Sequence, residues 1–384
     1  MLGVLTIVTY GSWFYGFGVL VGDISHDLQS PDRTMAIGFG LANILTGVLG
    51  AIAGRNLDRH GVRRIFLVGG FVGGGLLAAS SWMSTPWSFA VLFGLAGGFI
   101  GATGFYSITQ AVAARTSPGA PARAITRLTI WGALSSPLFI PATEVARRWW
   151  GWRTTLRLDA TIVVVAFVAA IASDPLRTAK AERPSQSVLR SARTALGDLT
   201  IRRLVGSAAA SAAAMEILLL YQVRVMIAVG MAAAAASWFA GARGLAQLLG
   251  RLPLTRTVAR YGVRTTLVAA RIGLAVGCVS IVWSGHTWST LIYVVVAGAT
   301  IGALSPLEGI FAATTLPKDD LGSLMGGLAL LSGVAGASGP ILAAVVVDAT
   351  HRTADAAILA AACAALSVLI LPVGVTSAEA RTVP

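Results

Sequence analysis

Gly54 to Arg64 reads GRNLDRHGVRR, and Arg256 to Thr266 reads RTVARYGVRTT. Both stretches break long apolar runs with a cluster of arginines and a Gly-Val-Arg step. An offset of 201 residues lays Arg55, Arg59, Gly61, Val62 and Arg63 on Arg256, Arg260, Gly262, Val263 and Arg264. The same offset lays AGGFIGA (96–102) on AGATIGA (297–303), and Trp87-Ser88 on Trp288-Ser289. Three matches in one register indicate an internal duplication, with one basic hairpin in each copy. The copies differ in one respect: Asp58 in the first faces Ala259 in the second.

Around the hairpins the chain is strongly apolar. Of its 384 residues 55% are hydrophobic and 12% charged, with a mean hydropathy of +0.77. A soluble chain carries about 25% charged residues, so half that value, with 44 glycines, marks a polytopic membrane protein. Twelve runs approach or exceed the ~20 residues that cross a bilayer as helix: about 2–22, 34–53, 65–83, 87–113, 124–146, 155–173, 203–229, 231–250, 265–284, 289–315, 323–347 and 354–374. A membrane barrel would instead alternate apolar and polar residues. The first run has neither a basic leader nor a small-residue cleavage site, so it is expected to be a retained helix.

Charge then orients the chain. With the amino terminus inside, twenty Lys and Arg fall on inner connections and five (Arg33, Arg147, Arg148, Arg153, Arg352) on outer ones, as positively charged inner loops require. The expected fold is all-α and integral to the membrane, with twelve transmembrane helices in two pseudo-symmetric six-helix bundles. Residues 1–173 form the first bundle and 203–374 the second. A basic cytoplasmic linker (174–202) joins them, and 375–384 is a short cytoplasmic tail. Both termini are expected in the cytoplasm of a bacterial cell. The net charge of +13 points to the lipid surface rather than nucleic acid, because the basic residues form no continuous stripe. Cys278 and Cys363 lie inside apolar runs without metal-ligand spacing, so neither metal nor cofactor is expected.

The first hairpin resembles the signature of the major facilitator superfamily: glycine, three residues, Asp-Arg, one residue, glycine, then a basic pair. Gly54, Asp58, Arg59, Gly61, Arg63 and Arg64 match it; Val62 stands where a basic residue is common. GWR at 151–153 and GASGPILAAVVVD at 336–348 support the resemblance, which spans essentially the whole chain. YGSWFYGFGV (10–19), Gly132 to Pro141 and Gly250-Arg251 look most like the monocarboxylate and oxalate/formate branch. The fifth span lacks the glycine-rich run ending in Gly-Pro that marks drug/proton antiporters. The resemblance implies that Asp58 sits near a helix amino terminus of the opposite half when the cytoplasmic side is closed, favoured by the helix dipole. Arg260 and Gly262 belong to the second hairpin, which lacks the acid. The plainer reading of Asp58 is that it balances the neighbouring arginines.

Within the spans a charge is costly, about 2.5–3.5 kcal/mol on insertion scales, and so marks candidate sites. Arg243, Gln247 and Arg251 recur at i, i+4 and i+8, sharing one helical face. A guanidinium presents a planar fork that suits a carboxylate. Glu216 and Arg243 stand 14 and 13 residues from Gly230, hence at similar depth, so Arg243 has two readings: substrate contact or structural ion pair. Arg251, near the helix end, either binds substrate or anchors at the interface. Tyr10, Trp13 and Tyr106 could line a cavity or fill the core. Glu216 and Glu308 are the candidate proton carriers.

There is no G-x-x-x-x-G-K-S/T phosphate loop and no soluble domain, so no enzymatic role is expected. The sequence reads as a secondary transporter, monomeric in the bilayer, that moves a small organic anion with protons or in exchange. Efflux of a drug or metabolite is the alternative within transport, and a transport-dead sensor the alternative outside it.

Overall fold

The computed structural model describes residues 1–116, 121–173, 198–315 and 321–372. The side chains of Arg55, Asp58 and Arg59 lie outside the described residues. The described chain is helical: α1 Leu2–Asp27, α2 Asp32–His60, α3 Val62–Ser80 and α4 Pro86–Gly104, which resumes after Phe105 as Tyr106–Thr116. A long helical run follows; we divide it at Gly151 into α5 (121–150) and α6 (152–172). Then come α7 Leu199–Ala228, α8 Ala233–Arg251, a short helix Leu254–Tyr261, α9 Val263–Ser280, α10 (287–315), α11 Leu321–Thr350 and α12 Ala354–Leu369.

Nine described helices are long and apolar enough to cross a membrane, against twelve runs expected. The difference has local causes. α5 and α6 meet at Gly151 with no loop between them, α12 has 16 residues, and α8 places Arg243, Gln247 and Arg251 within 19 residues. The protein is a multi-pass, all-α membrane protein.

The basic hairpin is tighter than its sequence suggests. Gly54–His60 continue α2 as helix, and the turn is confined to Gly61. Nothing from Gly54 to His60 forbids helix, since the segment holds no proline. Gly61 (φ 77°, ψ −177°) and Gly262 (φ 79°, ψ 160°) adopt a backbone region open essentially to glycine alone. Each donates its N–H to a residue four back, Leu57 and Val258. The 201-residue offset holds here, and it recurs elsewhere in the backbone. Ser30 N–H bonds Ser25 O as Met231 N–H bonds Met226 O, and Phe89 N–H bonds Thr85 O as Thr290 N–H bonds His286 O. Trp82 and Trp87 are exposed, as are Trp283 and Trp288 at the same offset; such rings settle where a bilayer meets water.

We call the end bearing Gly61 and Gly262 the hairpin face, and the end bearing the α1–α2 and α7–α8 turns the far face. At the far face ion pairs link neighbouring helices and also run along α5. Arg147 bridges Asp23 (2.6 Å) and Glu144 (2.9 Å). Arg153 donates to Asp27 (2.9 Å) and to the Ser81 and Met83 carbonyls. Glu144 also pairs with Arg148 at 2.8 Å.

Lipid tails are as apolar as leucine, so close packing rather than water avoidance joins the helices. In the first half the packing is aromatic: Trp13 stacks on Phe39 at 5.2 Å, and Phe17 on Phe93 at 4.4 Å. Across the halves it depends on small residues. A methyl added at Gly40 of α2 would stand 2.8 Å from the Ala337 carbonyl of α11, closer than a real side chain allows.

Candidate functional site

The centre of the site is Arg243, midway along α8. It is fully buried, at 0% exposure. Its Nε donates to Gln222 Oε1 of α7 at 3.0 Å, and the Tyr293 hydroxyl of α10 donates to the same oxygen at 2.5 Å. Gln222 in turn donates to the Leu219 carbonyl at 3.0 Å. One edge of the guanidinium is therefore fixed in position by three helices. The other edge is not engaged: Nη1 and Nη2 have no hydrogen-bond partner. A buried guanidinium with two free donors is costly unless an anion meets it. Its planar fork matches the two oxygens of a carboxylate or phosphate.

The ion pair expected between Glu216 and Arg243 is not formed. Glu216 turns instead toward α11, where a methyl at Gly336 would lie 3.3 Å from its Cγ. Its Oε2 has no hydrogen-bond partner. Depth measured from the Gly230 turn places both charges at one level; the rotation of each helix about its axis separates them. An unpartnered guanidinium edge and an unpartnered carboxyl oxygen thus occupy the same half of the chain.

Each nitrogen of Arg251 is engaged by the protein. Its three nitrogens donate to the Gly302 carbonyl (3.2 Å), the Thr129 carbonyl (2.7 Å) and Gln247 Oε1 (3.3 Å). Thr129 belongs to α5, so Arg251 ties the two halves of the chain on the side of the hairpin face. The structure therefore gives Arg251 and Gln247 an internal role. Arg243 and Arg251 share a helix face as the spacing predicts, yet only Arg243 keeps free donors.

The aromatic candidates divide. Trp13 is fully buried, donates its indole N–H to the Phe93 carbonyl at 3.3 Å, and belongs to the core. Tyr10 is partly buried and stacks on Phe105 at 4.0 Å. Tyr106 lies 5.1 Å from Tyr10 and donates to the Thr129 carbonyl at 3.4 Å, beside Arg251. Glu308 is held by Arg271 at 3.2 Å, so a structural charge pair accounts for it. Of the signature, Gly54 lies within α2, Gly61 makes the turn, and Arg63 and Arg64 are exposed. Arg260 is exposed and lies over the Tyr261 ring at 5.2 Å. The Asp58 and Arg59 side chains lie outside the described residues.

At the far face the halves are joined by Asp32 of α2 and Arg224 of α7, 2.6 Å apart and mostly buried. Arg224 also lies 5.4 Å from the Tyr221 ring. A salt bridge at one end and the Arg251 tether toward the other connect the same two halves around the level of Arg243.

The family model described as Major Facilitator Superfamily matches residues 2–225 and 204–382. The chain belongs to the Major Facilitator Superfamily. No curated protein sequence matches it. Among solved structures, a mutant of the nucleoside transporter NupG is similar at a TM-score of 0.82 and 13% identity, covering 96% of this chain and 97% of that one. A bacterial homolog of the human lysosomal transporter Spinster, inward-facing and unoccupied, gives 0.69 at 13%, covering 96% and 94%. A POT family transporter bound to a thioalcohol-conjugated peptide gives 0.67 at 15%, covering 100% and 96%. At such identities the likeness is one of fold. The superfamily member is a small-molecule membrane transporter of the secondary, alternating-access kind, and its matches are transporters rather than enzymes.

Proposed function

We propose that this chain moves a small organic anion, favouring a monocarboxylate, by rocking two six-helix bundles about Arg243. The bundles are 1–173 and 203–374, with 174–202 as a cytoplasmic linker, 375–384 as a cytoplasmic tail and twelve spans in all. The hairpin face is cytoplasmic, because it collects most of the arginines. The transporter works as a monomer in a bacterial cell membrane. The observation that carries the anion reading is the pair of unpartnered guanidinium nitrogens on Arg243, which is 0% exposed. Tyr10 and Tyr106, on the α1 and α4 side, complete the site from the first bundle. Glu216, whose Oε2 has no partner, is the carboxylate assigned to proton movement.

The Asp58 latch belongs to the same proposal, with the cytoplasmic side closing when it engages. Asp58→Asn then abolishes uptake in protein that still folds and reaches the membrane. Full activity would remove the latch from the mechanism.

The deciding experiment is a thermal-shift panel of carboxylates on purified protein, paired with uptake into proteoliposomes. Wild-type protein is expected to be stabilised by at least one carboxylate, by ligand linkage. Arg243→Ala should lose both the stabilisation and saturable uptake. Undiminished carboxylate stabilisation in Arg243→Ala would reject the anion site.

A further inference from the structure

The geometry points to a binding site for one small monovalent cation, sodium, formed by Asp159, Ser12, Thr143 and the Gly11 carbonyl. These groups come from α6, α1 and α5, on the opposite half of the chain from Arg243. Ser12, Thr143 and Asp159 are 1%, 3% and 5% exposed. Ser12 Oγ, Thr143 Oγ1 and Asp159 Oδ2 are each without a hydrogen-bond partner. Three orphaned oxygens in one neighbourhood are unusual, because buried polar atoms are almost always satisfied.

Thr143 Oγ1, Asp159 Oδ2 and the Gly11 carbonyl converge beside Gly16. A methyl there would stand 3.2 Å from the Gly11 carbonyl oxygen, 3.4 Å from Thr143 Oγ1 and 3.7 Å from Asp159 Oδ2. Ser12 follows Gly11 in the π-helical turn of α1. α1 is wound as a π-helix from Tyr10 to Tyr15, a distortion that recurs at functional sites. Thr143 and Asp159 stand eight residues to either side of Gly151, so the bend between α5 and α6 brings them to one depth.

The chemistry selects the ion. No salt bridge among the described residues includes Asp159, and a buried carboxylate needs neutralising. One carboxylate supplies one negative charge, which matches a monovalent cation. Carboxylate, hydroxyl and carbonyl oxygens are hard ligands, suited to sodium and unsuited to soft metals. The Gly11 carbonyl already accepts the Gly16 N–H and keeps its second lone pair; a proton on Asp159 would occupy a single acceptor and leave the two hydroxyl oxygens unused. Placed across from Arg243, the site would let cation and anion enter together. Only that coupling role rests on the transport reading above; cation binding stands apart from it.

The test uses full-length protein purified in detergent at pH 8, with sodium chloride replacing choline chloride at constant ionic strength. Thermal stability should rise saturably with sodium, and Asp159→Asn should abolish the rise. Thr143→Val and Ser12→Ala should raise the half-saturating sodium concentration at least tenfold, which keeps the test valid if Asp159→Asn does not fold. Arg243→Ala should keep the sodium response, so failure of the anion site reads separately. No response to sodium in the wild type would overturn the site, as would an equal response in Asp159→Asn or unchanged affinity in both hydroxyl variants. A stabilisation that follows pH and ignores sodium would assign a proton to Asp159 and overturn the cation.

Discussion

Arg243 and Arg271 are both buried, 0% and 1% exposed, and their surroundings are opposites. Arg271 of α9 is met by Ser207 of α7, the Ser367 carbonyl of α12 and Glu308 of α10. Both of its terminal nitrogens have protein acceptors, and its Nε alone is unpartnered. Arg243 has one neutral acceptor, on Nε, and two terminal nitrogens with none. The first arginine is a structural cross-link among four helices. The second is held in place and left electrically unfinished. Burial alone therefore does not tell the two roles apart; the inventory of acceptors does.

That contrast makes a prediction in which the two substitutions have opposite signs. Arg271→Ala removes the partner of Glu308, whose side chain is 30% exposed, and should destabilise the protein by about 1.5–3 kcal/mol, as loss of hydrogen bonds to a charged group does. A marked fall in apparent melting temperature is expected. Arg243→Met removes an uncompensated charge while keeping most of its volume. It should stabilise the substrate-free protein by about 1–4 kcal/mol while removing carboxylate binding. Destabilisation by both to the same degree would erase the distinction.

Smaller effects sharpen it. Gly61→Ala and Gly262→Ala each force a side chain into a glycine-only backbone region, at a cost of about 1–3 kcal/mol. Similar losses at both are expected from the shared turn geometry, read as paired melting shifts. Tyr293→Phe deletes one hydrogen bond to Gln222 and should cost about 1 kcal/mol. It should also loosen Arg243 and so weaken carboxylate binding several-fold; an unchanged affinity would show that Gln222 alone holds the guanidinium.

The sequence made helices, duplication and the level of the site readable, because each depends on periodicity or distance along the chain. Gly61 and Gly262 are examples, with the same turn at the same offset. Arg243 was readable as a charge inside an apolar run. Asp159 and Arg271 carry that same signal and are found only when the acceptors around them are known. Gln222 and Tyr293 give no such signal, since an amide and a phenol are ordinary in membrane helices. The Glu216–Arg243 pair shows where linear reasoning stops: residue count fixes depth, whereas rotation about a helix axis depends on packing against α10 and α11. Glu308 found its partner on another helix for the same reason.

The Arg251 tether has an asymmetry of its own. Two of its acceptors, at Thr129 and Gly302, are main-chain carbonyls, which no substitution at those positions can delete. Drift at Thr129 leaves the fastening chemically intact, whereas a methyl at Gly302 would stand against the Gln247 main chain of α8, and a change at residue 251 dissolves the contact in one step. The strength of that clasp between the halves is consequently adjustable from the α8–α10 side, while the first half offers it only a main-chain atom.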